Sequence, residues 1–177
     1  MNIKTKIKFK LSELPINLPK PNYVEQTYID FRDAKINSMI YYLFPYCGFN
    51  NLNIMEAIII KKRKENPIYT LILKSDGKST REKYEITVCE SLANDILSLS
   101  NLGTVCKFKY KFHTDYPFLI VEIIKYVKPE ALLIAKIQFY SLTKYDSIVD
   151  IAKRILGSLI IEDVTFDSKY KNRNLAN

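Results

Sequence analysis

The chain has a single histidine, His113, and only three cysteines, Cys47, Cys89 and Cys106, in 177 residues. No two cysteines stand in a C-x-x-C pair, which leaves too few grouped ligands for a His/Cys zinc site. An odd number of scattered thiols reads as reduced core thiols in a cytoplasmic protein rather than as a disulfide framework. Glycine is also scarce, at four residues. There is no glycine-rich loop to cradle a phosphate with backbone amides, so any phosphate binding must come from side chains. No apolar run approaches the ~20 residues that span a bilayer, and the lysine-rich start lacks the apolar stretch of a signal peptide. The reading is therefore of a single domain, residues 1–177, without a membrane partner. Its length supports a core that needs no disulfide or metal to fold.

Acidic residues are the other shortage. Lys and Arg number 27 against 19 Asp and Glu, a formal charge of +8. That balance favours anionic partners: a phosphorylated small molecule, a nucleotide, nucleic acid or an acidic protein surface. Solvated surface lysines would give the same number.

The charge is patterned. Lys4, Lys6, Lys8 and Lys10 alternate with Thr5, Ile7 and Phe9. A period of two marks a half-buried strand with every ammonium on one face. Lys107, Lys109 and Lys111 alternate with Cys106, Phe108, Tyr110 and Phe112 in the same way. Taken alone, this second stripe reads equally well as a solvated outer face. Further strands are predicted over 23–31, 56–64, 68–74, 81–88, 118–126 and 131–140 from their β-branched and aromatic content. Glu65-Asn66-Pro67 is the turn of a hairpin. Residues 33–46 read as irregular or helical. Helices are predicted over 91–100, stopped by Gly103, and from Asp146 or Ser147 to Gly157. His113 falls in a turn. The abundant tyrosines and phenylalanines read as packing. Basic strands interleaved with aromatics also occur in single-stranded nucleic-acid binders, but no RNP-like motif is present. Roughly eight strands in hairpin order with two or three helices predict an α+β protein built on a closed antiparallel barrel.

The tail carries a resemblance. Asp163-Val164-Thr165-Phe166-Asp167-Ser168-Lys169-Tyr170-Lys171-Asn172-Arg173-Asn174-Leu175-Ala176, after Leu156-Gly157, resembles the C-terminal signature of CYTH domains, E-V-T-x-D-x-R-Y-x-N-x-x-L-A. Lys8-Phe9 followed by Leu14-Pro15 is similar to that family's K-F-L-x-x-x-L-P. Val24 to Tyr28 is similar to its E-Q-G-Y strand, and Lys61-x-Arg63 with Tyr69 to Lys74 to R-x-R…Y-x-L-T-x-K. Lys107-x-Lys109-Tyr110 is similar to K-x-R-Y, and Leu133-Ile134-Ala135 to V-V-A. The resemblance spans nearly the whole chain. It implies an eight-stranded barrel of the triphosphate-tunnel type. In that family basic side chains hold a triphosphate or nucleotide while glutamates coordinate Mg²⁺ or Mn²⁺, and members include triphosphatases and adenylate cyclases.

The acids are where the chain departs. The E-x-E-x-K opening is Lys4-x-Lys6-x-Lys8, and the late-strand E-x-E is Lys136-x-Gln138. The middle run of glutamates becomes Arg81, Lys83 and Glu85, with Glu82 adjacent. A hard divalent cation needs several oxygen ligands, usually including carboxylates. Each carboxylate replaced by an ammonium about 4 Å away introduces a repulsion on the order of 4 kcal/mol at an effective dielectric near 20. By this resemblance Lys4, Lys6, Lys8, Lys61, Arg63, Lys74, Lys107, Lys109 and Lys136 are the candidate ligand-binding residues. Glu85 and Glu122 are what could remain of a metal site. The expectation is a phosphate-binding sensor or sponge with no catalysis and no cofactor. The alternatives are a triphosphatase or nucleotidyl cyclase whose Mg²⁺ or Mn²⁺ site has moved to Glu85, Glu122, Glu82 or Asp163, and a nucleic-acid or protein interaction module. The oligomeric state is not legible.

Overall fold

The computed structural model describes residues 4–43, 54–75, 83–99, 101–116, 119–128, 130–140 and 145–176. Nine strands occur among them. They are β1 (Lys4–Leu11), β2 (Asn22–Ile29), β3 (Ile54–Lys62), β4 (Ile68–Ser75), β5 (Lys83–Val88), β6 (Gly103–His113), β7 (Leu119–Lys128), β8 (Leu132–Tyr140) and β9 (Ile160–Asp163). The helices are α1 (Ala34–Leu43), α2 (Glu90–Leu99), α3 (Tyr145–Leu156) and α4 (Asn172–Ala176). The protein is α+β with antiparallel pairing throughout the recorded ladders. None of these helices is long and apolar enough to cross a membrane.

The residues form two compact units, one of 1–23 with 107–174 and one of 24–106 with 175–177. In the first, β7, β8, β1 and β9 are neighbours in that order. Alternation decides what each face does. Ile7, Phe9 and Leu11 of β1, Leu119, Val121 and Ile123 of β7, and Ala135, Ile137 and Phe139 of β8 point one way. They bury against Ile148, Ala152 and Leu156, the stripe of α3. Tyr110 and Phe112 pack on the same core, so the lysines of β6 lie on the other face. β9 is a short edge strand that pairs with β1 from Phe9 to Leu11. It lies beyond the eight strands predicted, because its four residues directly follow a helix and give no alternation to read.

In the second unit β5, β4, β3 and β2 are neighbours. Ile29, Ala57, Ile59, Tyr69, Leu71, Leu73 and Val88 bury against Ile36 and Ile40 of α1 and Ala93 and Ile96 of α2. Tyr28, Ile58 and Ile72 cluster on the opposite face with Ile60 and Ala176. Gly103 explains its own identity. Its φ is +132°, and a Cβ there would stand 2.1 Å from the Ala176 carbonyl oxygen. Gly103→Ala is therefore expected to destabilise this unit by about 2 kcal/mol or more, read as a lower urea midpoint at unchanged slope.

Several boundaries differ from the sequence reading. β3 ends at Lys62, because Arg63 takes a left-handed φ of 68° and Asn66 one of 49°. Arg63 thus belongs to the turn that Glu65-Asn66-Pro67 was expected to make alone. His113 closes β6, the end expected for the strand over 105–113, and the expected turn begins after it. Residues 33–46 contain α1, a helix of ten residues. Cys106 is a buried free thiol, whereas Cys89, expected in the core, is an exposed one immediately before α2. Cys47, Arg81 and Glu82 lie outside the described residues.

Candidate anion-binding face

On the face of the first unit opposite α3, register brings three strands into one row. Lys8 of β1 stands opposite Lys136 of β8, and Lys136 stands opposite Glu122 of β7. Cross-strand partners are the closest side-chain neighbours in a sheet, so this row sets two ammoniums and a carboxylate side by side. Lys109 of β6 joins it through its side chain. Glu122 accepts from Lys109 Nζ at 3.1 Å on Oε1 and from Lys136 Nζ at 2.7 Å on Oε2. Both carboxylate oxygens are engaged by a different amine.

Glu122 is 7% exposed. Burial alone would raise its pKa, but the charges and hydrogen bonds of Lys109 and Lys136 outweigh burial and hold the carboxyl at about 2. The two lysines are the more open members of the group, with side chains 29% and 19% exposed against 9% for Glu122. An anion arriving from solvent meets the amines first.

Lys8 is held by the tail. Its backbone N–H donates to Thr165 Oγ1 at 2.9 Å, and Val164 N–H donates to the Lys8 carbonyl at 2.9 Å. Its Nζ donates to the Tyr170 carbonyl at 3.0 Å. That carbonyl ends a single 3₁₀ turn, Ser168–Tyr170, whose Lys169 amide donates to the capping Asp167 side chain. Oriented carbonyls at a helix end suit a cation. The amine's pKa is nevertheless lowered, first by burial and then by repulsion from Lys136 and Lys171. Close by in register, Tyr126 of β7 donates from its hydroxyl to Asn172 Oδ1 at 2.7 Å. Burial, and behind it the Glu122 charge, push that phenol's pKa up. Lys107 is 2% exposed, with its Nζ 5.6 Å from the centre of the Tyr126 ring. The β6 stripe therefore runs from a buried lysine to an exposed one at Lys111, which is unlike a uniformly solvated face.

The other sequence candidates are dispersed. Lys6 stands opposite Gln138; Lys6 is exposed and Gln138 buried. Lys4 extends the β1 ladder opposite Tyr140, and its side chain lies outside the described set. In the second unit, Lys61 pairs with Tyr69 while Lys74 pairs with Glu56, five ladder steps away. Odd spacing puts them on opposite faces. Lys61 lies on the helix side, its Nζ 5.8 Å from the Tyr69 ring centre, with Tyr69 donating to Glu90. Lys74 lies on the face opposite α1 and α2 and donates to Glu56 at 3.0 Å. Lys62, one step from Lys61, shares the parity of Lys74. Sequence reasoning did not single out Lys62, because its parity relative to Lys74 is set only by the β3–β4 register. Arg63 is exposed in the turn. Glu85 pairs with Lys83 on β5. Asp163 accepts from the Thr165 amide at 2.9 Å, shaping the tail.

The fold has solved counterparts. The chain is similar to the crystal structure of the inorganic triphosphatase NE1496, with a TM-score of 0.63 and 20% identity over 99% of this chain and 95% of that one. It is also similar to PH1012 from Pyrococcus horikoshii, with a TM-score of 0.53 and 12% identity over 99% and 100% of the two chains. For PH1819 from the same organism the TM-score is 0.52, at 16% identity over 91% and 92%. At such identities the likeness is one of fold. No family model and no curated protein matches the sequence.

Proposed function

Since this chain has the CYTH-superfamily fold, shared with an inorganic triphosphatase, we propose that it captures a phosphorylated anion on the face built by Lys8, Lys107, Lys109 and Lys136, without metal-dependent catalysis. The observation that carries the reading is the state of Glu122. The carboxylate that β7 offers to this face is saturated by two ammoniums, while the cations around it outnumber it. Lys4 and Lys6 extend the row along β1. The eight-stranded tunnel, the single domain over residues 1–177 and a role as a cytoplasmic sensor or sponge belong to the same reading. Their support is the shared fold and the interleaving of the two units along the chain.

A divalent cation does not suit these donors. Mg²⁺ or Mn²⁺ asks for several oxygen ligands. Here Glu122 is engaged on both oxygens, Gln138 is neutral, and among the described residues no three His, Cys, Asp or Glu side chains come together as a metal-holding group. Phosphate oxygens suit the site better, because ammoniums donate short, charge-assisted hydrogen bonds to them.

Calorimetry of the full chain with tripolyphosphate and with ATP tests the reading. Binding at micromolar strength, unchanged by EDTA, is expected. Absence of binding to both overturns it. So does Mn²⁺-dependent phosphate release that disappears in Glu122→Gln, which would establish the metal-assisted enzyme instead.

A further inference from the structure

We propose that Glu122 is a resident stand-in for the ligand: its carboxylate occupies the place between Lys109 and Lys136 that a ligand phosphate takes, and it sets the strength an anion needs to bind. The inference rests on the anion-binding reading above and names what that site selects.

The geometry carries it. Each Glu122 oxygen faces one amine, at 3.1 and 2.7 Å, as two oxygens of a phosphoryl group would. The two lysine side chains are more exposed than the carboxylate they hold. The charged groups acting on Glu122 are Lys109 of β6 and Lys136 of β8, with Lys8 of β1 opposite Lys136 and Lys107 of β6 beside Tyr126 on the same face. Among these groups the one negative charge is the one displaced, while Glu162 of β9 stands further along, opposite Lys10. An incoming anion must replace it or share its lysines. A phosphodiester brings one negative charge per phosphate and gains nothing by exchange with a carboxylate. A terminal phosphate or a polyphosphate brings two or more charges and an extra acceptor, and reaches Lys8 as well. The site is thereby set against phosphodiester backbones and for small molecules with terminal or chained phosphates. An undisplaced Glu122 would only repel them.

Wild-type protein and Glu122→Gln are titrated calorimetrically with tripolyphosphate and with a dithymidine phosphodiester. Removing the resident charge is expected to strengthen both by about tenfold or more, and to bring diester binding into range where the wild type shows none. Equal or weaker tripolyphosphate binding in Glu122→Gln overturns the inference, since it would mean that Glu122 merely positions the two lysines. A second measurement needs no variant: the carboxyl-carbon titration of Glu122 followed by NMR, with and without bound tripolyphosphate. The midpoint is expected to move to higher pH in the complex, because the lysines are then shared. A midpoint that stays in place while calorimetry confirms binding overturns the inference and leaves the anion-binding reading standing. Failure of the wild type to bind tripolyphosphate at all removes that reading, and the inference with it.

Discussion

Lys8→Met is expected to lower tripolyphosphate affinity about a hundredfold while leaving the unfolding free energy nearly unchanged. The two halves have one cause. The fold holds this amine against its preference: it is half-buried, it stands opposite Lys136, and its pKa is lowered for both reasons. Removing it relieves repulsion and burial of charge, which offsets the lost hydrogen bond to the Tyr170 carbonyl, worth about 1 kcal/mol net. Binding has no such offset. Truncating one partner of a desolvated charge pair typically costs about 2–5 kcal/mol. The pH dependence has a definite sign. In the free protein Lys8 loses its proton below the ordinary lysine range. A bound polyanion raises the amine's pKa again, so above the free-state value each binding event takes up a proton and affinity falls as pH rises. Calorimetry in buffers of different ionisation enthalpy reads the proton uptake directly. In Lys8→Arg the guanidinium stays charged, and the alkaline fall should move to higher pH. If Lys8→Met loses stability and affinity together, Lys8 is a structural residue.

Much of this was legible because a period of two is unambiguous when one face is buried. The start of the chain reads directly as β1, and the alternation of Lys4 to Lys10 against Ile7 and Phe9 matches the observed division of faces. The helices ending near Ser100 and Gly157 were placed to within two residues by their stripes and stops. What failed were single-residue decisions. Lys61, Lys62 and Arg63 are consecutive basic residues, and nothing in a basic run tells which of them faces which way. Only the ladder to β4 fixes the parity, and the left-handed turn at Arg63 ends the strand earlier than its composition suggests. The tail was recognisable as a signature, yet its task was not. Thr165 and Lys8 are 157 residues apart in sequence, and a clamp between them has no local trace. Glu122 was placed as a remnant metal ligand. Its capture by Lys109 and Lys136 depends on three strands meeting in one row, which alternation within each strand cannot supply.

That row should also govern acid stability. Glu122 titrates at about 2 in the folded protein, against roughly 4.3 for a free glutamate. A carboxyl whose folded pKa is depressed contributes stability that is complete above its unfolded value and disappears as pH falls through the folded one. Glu122 is thus expected to supply on the order of 3 kcal/mol near neutral pH, lost between about pH 4.5 and 2. Urea unfolding of the wild type at pH 6, 4 and 3 should show that fall. In Glu122→Gln the curve should start lower at pH 6, because two amines lose their counter-charge in a largely buried setting, and should be flatter toward acid. Asp30 provides the control. Hydrogen bonds from Arg32 also hold its carboxyl at about 2, but the guanidinium is largely solvent-exposed and water screens the pair. Asp30→Asn should therefore track the wild type through the acid range. A Glu122→Gln profile parallel to the wild type, or an acid fall that vanishes in Asp30→Asn instead, would place the acid-labile charge pair away from this face.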